Sequence, residues 1–381
     1  MSGVIVHEWL APRGGSENVV EAMLRSFPDA ELWTLWNDAP ERFTQSNLHE
    51  SWLARSPLRR SKAAALTVMP ATWSSTRLPD ADFAILSSHA FAHHADWRNR
   101  AQLRRFVYVY TPARYVWVPD MDARGKNAIA RAASVYLKKL DRRVAQAQDA
   151  SFVGISQYVR DRIQDTWGVD AAVIYPPVDV AAIQAEADWS QRLTDDERAV
   201  FDALPESFIL GASRFVEYKR LDVVIRAGEA AELPVVLAGS GPLAASLAAR
   251  GASASVPVTI VDAPSNALLY ALYQRASVFG FFAVEDFGIM PVEAMAAGTP
   301  AIVVSEGGAK EIIAATGGGA VIESLDPEAL REGVERALRV DMDSARERAR
   351  KHFDAARFAE QLREWVTPVR TVAVGGADAS H

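Results

Sequence analysis

The chain has 381 residues, 49% hydrophobic and 23% charged, ordinary proportions for a globular protein and enough length for about two domains with separate cores. It contains no cysteine, which excludes disulfides, thiolate nucleophiles and cysteine-ligated zinc, and no run approaches the roughly 18–20 apolar residues that span a bilayer. The formal charge of −7 is unevenly spread: residues 1–150 carry 20 Lys and Arg against 15 Asp and Glu, and the remainder 21 against 33, which fits a basic domain joined to an acidic one.

The N-terminal stretch MSGVIVHEWLAPRGG lacks the basic region and apolar core of a signal peptide, so a cytoplasmic location is expected. Apolar strand-like runs then alternate with helical patterns. GVIVHEWL precedes a helix from Glu17 to Phe27; ADFAILSS and RRFVYVYT follow; ASFVGIS precedes a helix from Gln157. The alternation restarts at SFILGAS, LPVVLAG, VPVTIVD, ASVFGFFA and TPAIVVS. This is the pattern of doubly wound parallel sheets, and it predicts an α/β protein with two Rossmann-like domains across a cleft. Pro176–Pro177 interrupts both helix and strand, and the hinge is placed there. The expected domains are 1–174 and 175–355, with a helix at 356–368 packing back on the first and a disordered tail at 371–381.

Ligands of open parallel sheets bind beyond the carboxyl ends of the strands, so each strand-to-helix junction is a candidate site. The first carries Gly14–Gly15 before a helix that Ser16 could cap; it reads as an anion-binding turn or simply as a tight turn. In ILGASRFVEYKRLDVV, Arg214 follows a strand and Lys219–Arg220 stand in the expected first turn of a helix. Cations there oppose the helix dipole unless an anion lies between them, so the placement favours a phosphate site; the competing reading is a solvated basic turn with Glu217 as counter-ion. The next junction, LPVVLAGSGPLA, imitates a dinucleotide fingerprint with Gly239, Gly241 and Ala244, and Asp262 closes the following strand. A nicotinamide-dependent oxidoreductase is therefore carried as an alternative. Against it, the fingerprint usually belongs to the first unit of its domain, and Pro242 stands where the helix should begin.

EDFGIMPVEAMAAGTP places Glu285 at the end of a strand and Glu293 in the expected first turn of a helix, with Pro291 suited to its start and Gly298 to its end. Glu293 also reads as a plain helix-start acid favoured by the dipole. Carboxylates do not bind phosphate, so this pair suits sugar and ribose hydroxyls. Together with the cations at 214 and 219, they describe a nucleotide-sugar site.

Glu285-x7-Glu293 downstream of SRFVEYKR resembles the family-4 retaining glycosyltransferases of the GT-B fold, and the resemblance covers nearly the whole chain: PRGGSE, ISQYVRDRI, VIYPPVD and SEGGAKEII each have a counterpart. LSSHAFAH, YVYTPARYVW and EYKRLD further resemble bacterial mannosyltransferases of polysaccharide and O-antigen assembly. The resemblance implies that Arg214 and Lys219 hold the donor diphosphate and Glu293 the ribose. Glu285 and the backbone of Phe287, Gly288 and Ile289 would hold the sugar, Gly14 and Gly15 would help with phosphate, and His89 would lie beside the transferred sugar, with His93 and His94 as rivals. Family members often have His before Thr-Pro; here it is Tyr110, so acceptor choice by Tyr110, Arg114 and Tyr115 is expected to differ. The implied donor is GDP-mannose, with a UDP-sugar as alternative. Asp262 is a candidate reader of guanine N–H groups, or else a helix-cap acid. No cofactor and no metal are expected, since there is no metal-binding D-x-D context and no ligand spacing among the histidines.

Residues 52–73 combine Arg55, Arg59, Arg60 and Lys62 with Trp52 and Trp73, and RAASVYLKKLDRR adds Arg131, Lys138 and Arg142. These read either as solvated helix faces or as a dock for an anionic membrane carrying a polyprenyl-linked glycan acceptor. No nucleic-acid partner is expected. A sugar-nucleotide-binding protein without catalysis is a further alternative.

Overall fold

The computed structural model describes residues 2–12, 14–44, 47–96, 103–117 and 128–367; of Ala63, Tyr115 and residues 128–134 it describes the backbone alone. The side chains of Tyr115 and Arg131 and the tail 371–381 thus lie outside the described residues.

Two wholly parallel sheets form the molecule. The first has seven strands: β1 (Gly3–His7), β2 (Glu31–Thr34), β3 (Leu48–Glu50), β4 (Phe83–Ser88), β5 (Arg104–Val109), β6 (Ala150–Gly154) and β7 (Ala172–Val173), in the order β3-β2-β1-β4-β5-β6-β7. The second has six: β8 (Ile209–Ala212), β9 (Val235–Gly239), β10 (Val258–Asp262), β11 (Val278–Phe281), β12 (Ala301–Val304) and β13 (Gly319–Ile322), in the order β10-β9-β8-β11-β12-β13. The central strands are buried along their whole length, as expected when helices cover both faces. That burial makes their apolar runs continuous and easy to read. The strands absent from the sequence reading, β2, β3, β7 and β13, are two to four residues long and mostly half-exposed, too short for a periodicity to register.

Both sheets reverse direction of growth next to their first strand: β1 and β4 are neighbours, as are β8 and β11. At such a switch point the loops beyond the two strand ends diverge and leave a crevice. The two crevices face one another. Gly15 opens the helix Gly15–Ser26 and Ile289 opens the helix Ile289–Ala297, and a methyl group on Gly15 would come within 3.3 Å of Ile289 Cδ1.

The helix Gln157–Trp167 starts as its sequence suggests, with Ser156 accepting from Val159 N, and ends at left-handed Gly168. It belongs to the first domain yet is fastened to the second: Glu311 accepts from Gln157 N at 2.7 Å and Tyr158 N at 2.8 Å. The helix Ala355–Val366 returns to the first domain, where Trp365 donates to Ser151 Oγ at 2.7 Å and its ring lies 5.1 Å from Phe106.

Candidate functional site

The second domain's crevice is built from the loops after β8 and β11. Beyond β8 the chain makes a short 3-10 turn, Glu217–Lys219, and Arg220 adopts φ 51° before the helix Leu221–Ala231 begins. Lys219 and Arg220 therefore precede the helix rather than occupy its first turn. This places the Lys219 ammonium over the crevice, where it pairs with the Glu285 carboxylate from the loop after β11. Arg214 is exposed beside them, with its guanidinium donating to Tyr218 Oη at 2.8 Å.

The glycines of LAGSGP have a different task from the one their spacing imitates. Gly239 and Gly241, at φ 141° and 152°, lie under the basic turn: a Cβ on Gly239 would stand 1.8 Å from Ser213 O, and one on Gly241 2.7 Å from Phe215 O. Phe215 N donates to Ser240 O at 2.8 Å. These glycines support the loop that carries Arg214, and they follow β9, which is not at the switch point. The dinucleotide reading is corrected accordingly.

Glu293 is the fifth residue of the helix Ile289–Ala297, and Pro291 the third, so neither sits at the very start as the sequence suggested. Glu293 is half-buried, and burial, reinforced by the nearby Asp179 carboxylate, pushes its carboxyl up to about 7. Phe287 turns its ring into the core between Tyr175 and Phe353, leaving backbone to the crevice. Gly308 N donates to Glu285 O at 2.8 Å, and a Cβ on Gly308 would meet Asp286 O at 2.3 Å, so the GG pair of SEGGAKE holds the acidic loop from behind. Asp262 is exposed at the end of the edge strand β10, and Ala263 beside it adopts φ 41°.

In the first domain, β1 ends at His7 and continues into Glu8 and Trp9, while β4 continues into His89. Glu8 is fully buried and accepts from Ala90 N and Ala92 N, each at 2.8 Å, and from His89 N at 3.2 Å. Its Oε2 lies 3.1 Å from His89 Nδ1. Burial alone would raise Glu8, but the His89 and His7 rings and the N–H groups of Ala92 and Ala90 outweigh it and hold the carboxyl below its ordinary value. Burial, with His89 adding to it, pushes the His7 imidazole down to about 4. Trp9 meets His89 edge-on at 4.5 Å and carries the Lys62 ammonium 4.5 Å from its ring centre. None of His7, Glu8, Trp9 and Lys62 was assigned to the cleft from sequence; the one available signal was an acid closing an apolar central strand.

Of the three candidate histidines, His89 alone is partly open, at 17% exposure. His93 and His94 are buried against Asp141 at 2.9 and 3.0 Å, and the same carboxylate accepts from the indoles of Trp117 and Trp167 at 2.7 Å. The fold thus brings together two groups that linear spacing does not reveal, His7–Glu8–His89 and His93–His94–Asp141, in each of which the ligand-capable atoms lie within 4.8 Å of one another. In both, the carboxylate is already engaged by N–H donors of the protein.

The glycine loop differs in detail from its reading: the helix begins at Gly15, and Ser16 Oγ donates to Glu17 Oε2 rather than capping. Tyr110 is buried, with its hydroxyl donating to Ser16 O at 3.2 Å and 2.9 Å from Ser87 Oγ. Arg114 pairs with Asp286 across the cleft, and Arg162 donates to the same carboxylate at 2.6 Å. In the basic strip, Trp73 is core and Arg59 is paired with Asp38, whereas Trp52, Arg55 and Arg60 are exposed. Arg142 donates to Thr166 O at 2.6 Å, and its guanidinium and the Lys138 ammonium each lie 5.6 Å from the Trp117 ring centre.

Residues 194–353, the segment holding Arg214, Lys219, Glu285 and Glu293, match the family model of glycosyl transferases group 1. The match falls on the second sheet and its helices, under half of the chain. An uncharacterized glycosyltransferase of Methanocaldococcus jannaschii is 31% identical over 173 residues, 44% of this chain and 44% of the relative. The match thus spans under half of that relative's length. Among solved structures, Anabaena HepE in complex with UDP-glucose superposes with a TM-score of 0.66 at 14% identity, covering 96% of this chain and 98% of that one. WaaG, a glycosyltransferase involved in lipopolysaccharide biosynthesis, gives 0.61 at 17%, covering 96% and 100%. These likenesses extend over both domains, and the architecture is GT-B.

Proposed function

We propose that the protein transfers a hexose from a nucleotide sugar to a glycan acceptor with retention at the anomeric carbon. The observation that carries this is the Lys219–Glu285 pair at the switch point of the second sheet, opposite the glycine loop of the first. The helices starting at Gly15 and Ile289 turn their positive ends towards the same space. In this reading the donor diphosphate draws Lys219 away from Glu285 and takes Arg214 as its second cation, and the freed carboxylate accepts from a sugar hydroxyl. The bond from anomeric carbon to phosphate oxygen breaks, and the acceptor oxygen bonds to that carbon on the same face. The acceptor's proton goes to the departing diphosphate. Arg214 and Lys219 neutralise the leaving charge, so no metal is required. His89 lies beside the sugar and Glu293 takes the ribose.

GDP-mannose is proposed as donor, with Asp262 accepting from guanine N–H groups. A UDP-sugar is the second reading, favoured by the UDP-glucose held in the Anabaena relative. A thermal-shift panel of NDP-sugars, GDP, UDP, NAD and NADP tests both levels. A larger shift with UDP than with GDP removes GDP-mannose, and stabilisation by a dinucleotide alone removes glycosyl transfer. Binding of donor with neither hydrolysis nor transfer leaves a non-catalytic sugar-nucleotide-binding protein.

No helix among the described residues is long and apolar enough to cross a membrane. The proposed acceptor is lipid-linked and reached from the cytoplasmic surface. Support comes from Trp52, at 54% exposure, beside exposed Arg55 and Arg60. Liposome flotation tests this: each cation contributes about 1 kcal/mol on anionic lipid, so equal binding to neutral and anionic vesicles excludes the electrostatic dock.

A further inference from the structure

We propose that Tyr218 is a positioning residue for the donor diphosphate: its hydroxyl holds the Arg214 guanidinium and its ring the Lys219 ammonium, so that two like charges stand side by side for one anion. This rests on the nucleotide-sugar reading of the site. Tyr218 lies between the two cations in the chain, on the short turn after β8.

Two cations on one turn repel each other, and a carboxylate between them is the ordinary remedy. The ion pairs of this turn among the described residues are Lys219 with Glu285 and Arg220 with Asp222. Neither includes Arg214, nor Glu217, the counter-ion that the sequence offered. Arg214 is held by a neutral group instead: its guanidinium donates to Tyr218 Oη at 2.8 Å. A hydroxyl fixes the direction of the guanidinium without neutralising it, so the full charge stays available to a phosphate. The same residue serves Lys219, whose ammonium lies over the Tyr218 ring at 5.4 Å from its centre, within the range of attraction by a ring face. The buried Phe281 ring lies near that ammonium as well, at 5.9 Å. The base of the turn is firm. Lys219 N donates to Val216 O at 3.1 Å, Arg220 N donates to Glu217 O at 3.0 Å, and Phe215 of the same loop is fully buried. Tyr218 itself is 41% exposed, so burial does not account for its place. A chance surface contact would account for one of the two interactions, but not for a hydroxyl on one cation together with a ring face on the other.

Tyr218→Phe removes the hydroxyl and keeps the ring, and Tyr218→Leu removes both. Calorimetric titration with GDP and with UDP reads the result, alongside thermal melting, which should stay near that of the parent because the side chain is exposed. Tyr218→Phe is expected to weaken whichever of the two the protein binds by about fivefold to tenfold, and Tyr218→Leu by about a further twofold. The discriminating readout is a double-mutant cycle with Arg214→Met. If the hydroxyl acts through Arg214, adding Tyr218→Phe to Arg214→Met changes affinity by less than about twofold. A full loss of about fivefold in the Arg214→Met background overturns the inference, since the hydroxyl would then meet the ligand or the fold directly. Equal affinity in Tyr218→Phe and the parent overturns it too, and leaves the nucleotide-sugar reading standing. If the unaltered protein binds neither GDP nor UDP, that reading falls and this inference falls with it.

Discussion

Lys219 and Glu285 satisfy each other, at 12% and 22% exposure. In the proposed reading the site is an exchange: a diphosphate would bind by taking a cation from an acid, and the acid would then be free for a hydroxyl. Charge-assisted bonds of this kind are about twice as strong as neutral ones, so each partner matters most once the other has been displaced. Lys219→Ala and Glu285→Gln are each expected to lower donor turnover by at least about a hundredfold, with melting temperatures within a few degrees of the parent. Near-normal turnover in both would place the site elsewhere. Glu293 gives a pH test. Its raised value means the folded chain holds a proton that the unfolded chain, at an ordinary 4.5, releases. The contribution is fully present below 4.5 and is lost as pH rises through about 7. Glu293→Gln keeps the uncharged form, so its stability relative to the parent should improve by about 1–3 kcal/mol between about pH 5 and pH 8. Chemical denaturation at the two pH values checks this; a pH-independent difference would mean that Glu293 is not desolvated.

At the scale of elements, strand-to-helix junctions carry the candidate site and glycines set their shape. Ser213–Phe215 lies directly on Gly239 and Gly241, so the basic turn has no freedom to sink. Gly241→Ala adds a Cβ 2.7 Å from Phe215 O at a backbone angle of φ 152°. It should cost about 1–3 kcal/mol and weaken nucleoside-diphosphate binding through displacement of Arg214, read by denaturation and calorimetry together. Unchanged affinity would mean that the turn does not depend on its support. The G-x-G spacing was plain in the sequence and its purpose was not. The same residues serve a pyrophosphate after a first strand and prop a loop after a second, and only the neighbouring strand tells the two apart.

At the scale of the whole molecule, the two crevices are tied together beside the site itself. Asp286 receives Arg114 and Arg162 from the first domain, Ser156 Oγ donates to its carbonyl at 2.5 Å, and Glu311 accepts two N–H groups from the helix Gln157–Trp167. Asp286 adjoins Glu285, so the contacts that join the domains also hold the acidic loop. Asp286→Asn removes the charge that both arginines face. It should raise the donor KM about tenfold by loosening closure and increase the radius of gyration in solution scattering. An unchanged KM and radius would show that Asp286 does not control closure.

The sequence by itself determined the two-sheet α/β class, the buried central strands and the cations and acids of the second domain. Those features are local: continuous apolar runs mark buried parallel strands, and the candidate site groups stand within a few residues of the strand ends that present them. The tertiary structure alone decided which junctions meet. His7, Glu8 and His89 converge because β1 and β4 are neighbours, and Arg114 reaches Asp286 because the two crevices face one another. Tyr110 and the His93–His94 pair turned out to be bonded within the protein. Strand order and domain closure depend on the packing of distant segments, and no spacing along the chain encodes them.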